Sequence, residues 1–437
     1  MEEQVKWRYT LSRSELILVL LTIAYRIELD IIYKNIISTQ FGYWNYYDRS
    51  DLSLNVLSWF VLLILFIPVV RLFKYYDQLS VEVFLILFVF SIVPFTTLIK
   101  YGHFDSVFII CNILFWLLFF VAFDVFNKHS RHTSYRISKE RYVIKDKLLK
   151  AAVIVFLIVV LFISGYYTGF RITFQISNSI DLREESIQYS IPTILNYLFL
   201  WSQAIVPVLL AYFLKKRNYL FTMMCVVTQL FSYGINGMKT TLFVTIVIIA
   251  IACVPALTIK KTNIAVFGLF NLFCILGIAE WYLLHTRLIA GVVILRMMFL
   301  PNSISYYYYD YFQTHTPDYF RASFLRHLGF SSPNTDLFQT IGQLYFNSNM
   351  RCNDGLIGDA FANMGFIGVI VLPIAMAFFL MVLDRCTKDL DIKVYLGVGF
   401  VIAIRFMSSY FVTNLLSYGF IILVLLFQSL SREKDST

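Results

Sequence analysis

Arginines set between long apolar runs are the groups in this sequence whose type and placement suggest chemistry. They are Arg171, Arg183, Arg287, Arg296, Arg326 and Arg351. A guanidinium keeps its charge, and its planar fork of donors matches the oxygens of a phosphate. Lys239 joins them from a glycine-bearing turn, GINGMKTT at 234–241. Any one of these also reads as a side chain that snorkels to headgroups or pairs with Asp or Glu. The set reads better as a binder of phosphate. The groups able to move a proton on the same side are Asp181, Glu184, Glu185, Asp310, His315, Asp318, His327, Asp336, Asp354 and Asp359. Base catalysis on a hydroxyl needs one of them beside the reacting carbon. The candidates carried forward are Asp359, His327 and Asp310. Asp359 stands just inside an apolar run, where a charge is costly and usually functional. His327 follows Arg326 in a long polar segment, where a lone histidine is more often structural.

Other chemistries are not indicated. There is no HExxH, no DxD on this side and no paired histidine motif, so no metal site is expected. The nucleotide motifs GxxxxGK[ST] and GxGxxG are missing, and no cofactor is expected. Cys111, Cys225, Cys253, Cys274, Cys352 and Cys386 show no CxxC spacing, and four of the six lie inside apolar runs.

The elements that must position these groups follow from composition. Hydrophobic residues make up 59% of the 437 and charged ones only 14%, against about 25% in a soluble domain. Mean hydropathy is +0.71. Apolar runs near twenty residues are spanning candidates, and in lipid they must close their own backbone hydrogen bonds as helices. The period-two pattern of a barrel is missing. Twelve spans are expected, at 13–33, 52–72, 82–100, 106–126, 149–168, 192–214, 219–235, 239–258, 263–285, 356–383, 393–411 and 414–430. The fold class is therefore all-α, a polytopic integral membrane protein forming one transmembrane domain over 1–437. The first run is interrupted by Arg26, Glu28 and Asp30 and reads as a retained helix, not a removed signal peptide.

Charge sets the orientation. With both termini cytoplasmic, 23 of the 36 Lys and Arg lie inside and 11 outside. Inverting the chain would break the positive-inside bias. The basic stretch 128–147 then lies on anionic headgroups, and nucleic acid is not expected as a partner. Of the eleven outward basic residues eight are arginine: the six above with Arg49 and Arg321. The remaining three are Lys34, Lys100 and Lys239. Arg405, near the middle of a span, must pair or line a wet cavity; Asp30 or Glu28 is the expected partner.

Two outward segments are long enough to carry function: 169–191, and 286–355 between spans 9 and 10. The second opens with tyrosines among apolar residues at 288–313, so an interfacial helix is expected there. Its latter part, 328–355, is rich in Gly, Ser, Asn and Asp and reads as irregular backbone.

Four stretches carry a resemblance. IDLREE at 180–185, NGMKTT at 236–241, RMMFLPNSISYYYYDYF at 296–312 and DGLIGDAFANMGFIGVI at 354–370 occur in this order across nearly the whole chain. Together they resemble conserved elements of the Wzy-type oligosaccharide repeat-unit polymerases, relatives of the O-antigen ligases. The resemblance implies a GT-C-like membrane glycosyltransferase in the bacterial cytoplasmic membrane. It would polymerise undecaprenyl-diphosphate-linked repeat units, with its active site facing outward. Partners implied are the lipid-linked oligosaccharide, membrane lipid, a chain-length regulator and a flippase. It assigns Arg183, Arg296 and Arg351 to the donor diphosphate and Asp359 to the acidic position of the closing signature. The chain departs from the pattern in three ways. No R-x(10)-G follows an outward arginine, the closing acid is Asp where Glu is frequent, and the ligases' catalytic histidine has only His327 as a nearby counterpart. A ligase of the same fold and a lipid-linked glycan flippase are the rival readings.

Overall fold

A computed structural model of the chain describes residues 12–75, 77–132, 146–170, 182, 185–186, 188–254, 258–323, 325, 328–334 and 336–430. Among them all regular structure is helical. In chain order the helices are α1 (Arg13–Ile32), α2 (Leu52–Tyr75), α3 (Leu79–Lys100), α4 (Ser106–His132), α5 (Asp146–Thr168), α6 (Thr193–Lys215), α7 (Tyr219–Asn236) and α8 (Lys239–Cys253). There follow α9 (Ile259–Leu284), α10 (Ile289–Phe312), α11 (Leu337–Phe346), α12 (Leu356–Met364), α13 (Phe366–Thr387), α14 (Ile392–Ser408), α15 (Phe411–Leu416) and α16 (Phe420–Leu430). Eight of these helices are long and apolar enough to cross a membrane: α2–α6, α9, α10 and α13. The chain is thus a polytopic membrane protein.

Contacts between helix termini define two ends of the bundle. At the lower end Arg71 pairs with Asp124 at 3.2 Å, Lys215 pairs with Asp391 at 2.5 Å, and Lys260 reaches the carbonyl of Lys74. Helices that start there are capped by the residue types that suit the task. Ser12 accepts from Glu15 N and Glu15 answers it in a capping box, Thr258 accepts from Lys261 N, and Asp391 accepts from Lys393 N. At the upper end the Tyr101 hydroxyl donates to Asp30 O, and the Arg287 guanidinium donates to Gln40.

The apolar window of α3 is wholly buried, as its all-round hydrophobic sequence requires. It packs against α14, which also lies on α6 and α8 and so ties α5–α8 to the rest. Helix α13 packs most extensively on α4, and α9 on α1.

Three expectations are revised. The span at 356–383 breaks at Gly365, where φ +60° and ψ −143° suit only a residue without Cβ. A Cβ on Gly368 would stand 2.3 Å from Ala360 O, so α12 and α13 meet too closely for any other side chain. The last span is likewise two helices, parted at Gly419 (φ +74°). The eleven-residue α16 is about 16 Å long, too short to cross alone.

The third revision concerns the helix expected to lie at the interface. Helix α10 has the length and hydropathy of a crossing, yet both its ends sit at the upper end. Arg287, just before it, holds Gln40, and Tyr306 packs on Phe104 and Phe108. Between them it dips into the bundle, where the Tyr25 hydroxyl contacts Met298 Sδ at 3.0 Å and Ser91 donates to Asn302. Its first eleven residues form a π-helix with Ala290, Ile294, Leu295, Met298 and Phe299 buried. Filling the groove among α1, α3 and α9 removes more apolar surface from water and headgroups than lying on the surface would.

Candidate functional site

Arg405 is the starting point. It lies near the upper end of α14, and its guanidinium donates to Gln203 Oε1 on α6. The same group stands over the Tyr418 ring, 3.9 Å from its centroid. Neither Asp30 nor Glu28 is its partner. Asp30 is held by Arg26, one helical turn away, and by Lys100 at 2.8 Å. Among the described residues no carboxylate forms an ion pair with Arg405. An unpaired cation inside an apolar bundle has to line polar space. It does so: Arg405 lines a cavity with Gln203, Gln229, Thr240, Thr241 and Ser408. Gln203 is 8% exposed, and its Nε2 donor has no partner.

The GINGMKTT turn delivers a helix N-terminus to this cavity. Gly237 ends α7 in the left-handed region (φ +59°), with its N–H bonded to Tyr233 O. Met238 then caps α8, whose first residues are Lys239, Thr240 and Thr241. The unpaired N–H groups of a first helical turn carry partial positive charge and favour an anion. One guanidinium, one free amide donor, two threonine hydroxyls and a helix N-terminus therefore surround the cavity, with the exposed Lys239 next to it in sequence. The cavity is small, about 50 Å³, and Pro207, Met238, Val244, Val401 and Ile404 complete its wall, so its donors and positive charge suit a single phosphate group.

The other expected residues are not gathered here. Arg287 bonds Gln40 at 2.8 Å and lies over Phe41. Arg351 pairs with Asp336 at 3.0 Å and lies over Phe338. Arg296 is exposed on α10. None of the three lines the Arg405 cavity. Arg171, Arg183, Arg326 and His327 lie outside the described residues, as do Asp181 and Glu184.

Among the acids, Asp359 is 1% exposed. Its Oδ2 accepts from Phe411 N and its Oδ1 from Asn363 Nδ2, each at 2.6 Å. Both oxygens are thus engaged in joining α12 to the start of α15. Asp310 is exposed and accepts from the Tyr345 hydroxyl at 2.6 Å. Asp354 is 2% exposed; Ser305 donates to its Oδ1, while Oδ2 has no partner. Burial, with a smaller contribution from nearby Asp359, pushes the Asp354 carboxyl well above the usual range. Ser332 and Ala322 N both donate to Asp318, and His315 stacks on Tyr311 at 3.8 Å.

Gln203, Gln229, Thr240 and Ser408 carry no individual sequence signal. The readable clue was Arg405, a charge inside an apolar run, together with the turn at Lys239. Comparison with protein-family models, with curated proteins and with solved structures finds no match.

Proposed function

We propose that the chain is a membrane glycosyltransferase of the Wzy type, polymerising undecaprenyl-diphosphate-linked repeat units into a polysaccharide. In this reading the fold is GT-C-like and crosses the bacterial cytoplasmic membrane twelve times, both termini are cytoplasmic, and the upper end faces outward. The supporting observation is the Arg405 cavity: a guanidinium with no carboxylate partner among the described residues, set against the first turn of α8 and the free Gln203 amide. One phosphate group of a lipid diphosphate brings the charge that this site lacks. The acceptor hydroxyl attacks the anomeric carbon of the donor glycan, the bond from that carbon to the diphosphate breaks, and undecaprenyl diphosphate leaves. Arg405 and the α8 N-terminus stabilise the charge gathering on the leaving group. The acceptor proton passes to a base. Of the three groups carried forward, Asp359 has both oxygens engaged, and Asp310 is exposed but does not line the Arg405 cavity, so its part as base rests on the bound substrate reaching it.

The test uses purified protein with synthetic lipid-diphosphate-linked repeat units, EDTA and no nucleotide. A ladder of longer glycans supports the polymerase; intact substrate rejects it. A flippase is the second reading, and one observation favours it: the anion cavity lies between helices α6, α7, α8 and α14, where a translocation path would run. Repeat units that appear unchanged across a proteoliposome membrane would establish that alternative.

A further inference from the structure

A second polar cavity opens at the upper end, built from the segment after α1, the α3–α4 turn and the C-terminal half of α10. Its volume is about 210 Å³, below the roughly 300–1,000 Å³ of ordinary small-molecule pockets, so it suits one ring of a ligand that continues outside. Tyr47, Tyr306 and Tyr307 contribute aromatic surface, and Asn45, Arg49 and His103 contribute polar groups. The backbone is specialised for this approach. Asn45 is left-handed (φ +65°), as is Gly102 (φ +70°), and a Cβ on Gly102 would stand 3.1 Å from the Arg49 Cβ.

His103 is oriented within the cavity wall. The Tyr33 hydroxyl lies 3.0 Å from Tyr47 O and 2.5 Å from His103 Nε2. A hydroxyl has one proton. With that proton on the Tyr47 carbonyl, Nε2 must carry the ring hydrogen and donate to Tyr33. Nδ1 is then an acceptor, and it has no hydrogen-bond partner among the described residues. Burial, aided by the nearby Arg49 charge, lowers the imidazole to about 3, so the ring is neutral. Aromatic faces beside an acceptor and several donors complement a sugar, which presents C–H faces and hydroxyls that both give and take protons.

Tyr101 also lines a neighbouring groove between α1 and α2. Lys34, Asn35 and Lys100 line its polar part, and Ile27, Ile31 and Trp59 its apolar part. Asp30 is already engaged by Arg26 and Lys100, which leaves the exposed Lys34 available. An ammonium above an apolar trough suits a phosphate carried on a lipid chain.

We infer that these adjoining spaces form a binding site for a lipid-linked saccharide, with its phosphate at Lys34 and its first sugar against Tyr47 and Arg49. The site is separate from the Arg405 cavity, with which it shares no lining residue. The choice of a lipid carrier rests on the proposed function, in which two lipid-linked substrates must bind at once.

The test is isothermal titration of the full chain in detergent with farnesyl-diphosphate-linked N-acetylglucosamine, and with farnesyl phosphate alone. Two equivalents of the conjugate should bind to the wild type and one to Arg405→Gln. In the Arg405→Gln background, Lys34→Gln and Arg49→Ala should each weaken the remaining site tenfold or more. Both side chains are exposed, so these variants should fold, and matching melting curves check this. Farnesyl phosphate should respond to Lys34→Gln and not to Tyr47→Ala. The inference is overturned if Arg405→Gln binds no conjugate, if the remaining site ignores both substitutions, or if the sugar adds no affinity. Two equivalents bound with no glycan ladder would reject the polymerase and keep the site. A ladder unaltered in Lys34→Gln and Arg49→Ala would do the reverse.

Discussion

The guanidinium of Arg405 lies 3.9 Å from the centre of the Tyr418 ring while donating to Gln203, and among the described residues no carboxylate pairs with it. The ring and the amide orient the arginine without neutralising it. Arg405→Gln should therefore leave the protein folded and lower glycan transfer by about a hundredfold or more, the range for losing one preorganised charge-stabilising donor. Arg405→Lys should recover only part, since an ammonium cannot stack flat and bond at two edges. Initial rates on a lipid-linked repeat unit check both. Wild-type rates in Arg405→Gln would remove the cavity from the mechanism.

Asp359 should behave as a structural residue. Its two oxygens take the Phe411 N–H and the Asn363 amide, so Asp359→Ala leaves two buried donors unmet, at about 1–3 kcal/mol each. Asp359→Asn keeps one acceptor and should fold better than the alanine variant, with activity within tenfold of wild type. Melting temperature and rate measured on the same samples separate the roles. Full stability with activity abolished in Asp359→Asn would make this carboxylate the base.

The ion cluster at the upper end of α1 gives a stability test. Arg26 is fully buried and pairs with Asp30, four residues on, which Lys100 also holds. Asp30→Ala strands a buried guanidinium, a loss of about 3–5 kcal/mol. Arg26→Met with Asp30→Ala should regain most of it, because the unpaired charge goes as well. Thermal unfolding in detergent measures the three proteins. Equal melting of Asp30→Ala and wild type would show that Arg26 finds another partner.

This cluster also shows what the sequence could tell. Arg26 and Asp30 are four apart on one helix, a spacing that places them side by side. Arg405 was visible as a charge in an apolar run, but its neighbours come from α6 and from the chain beyond α14, a tertiary relation that periodicity does not encode. The helical class and most spans follow from hydropathy. The breaks at Gly365 and Gly419 do not, because the apolar run continues across each and only backbone conformation marks them. Helix α10 was legible as a helix, but its burial depends on a groove made by α1, α3 and α9. His103 was missed altogether. A single histidine in a short turn gains significance only when Tyr33 and Arg49 are folded against it.

His103 supplies a pH dependence whose direction is fixed by its surroundings. An unfolded histidine takes a proton near pH 6.5, whereas burial and Arg49 hold the folded ring to about 3. Between these values the unfolded chain binds the extra proton, so stability falls as the pH is lowered. The loss is about 1.4 kcal/mol per pH unit below 6.5, or about 2 kcal/mol at pH 5. Asp354 acts in the opposite sense, since burial raises its carboxyl and favours the protonated form. The contribution of His103 is therefore read from the difference between wild type and His103→Gln, which keeps a polar group of similar size. Melting curves of both proteins at pH 7 and pH 5 should show the wild type losing more on acidification, and the gap should close at neutral pH. Parallel losses in the two would mean that the folded imidazole takes up its proton as readily as a free one, and that the cavity wall at Tyr33 and Tyr47 is open to water.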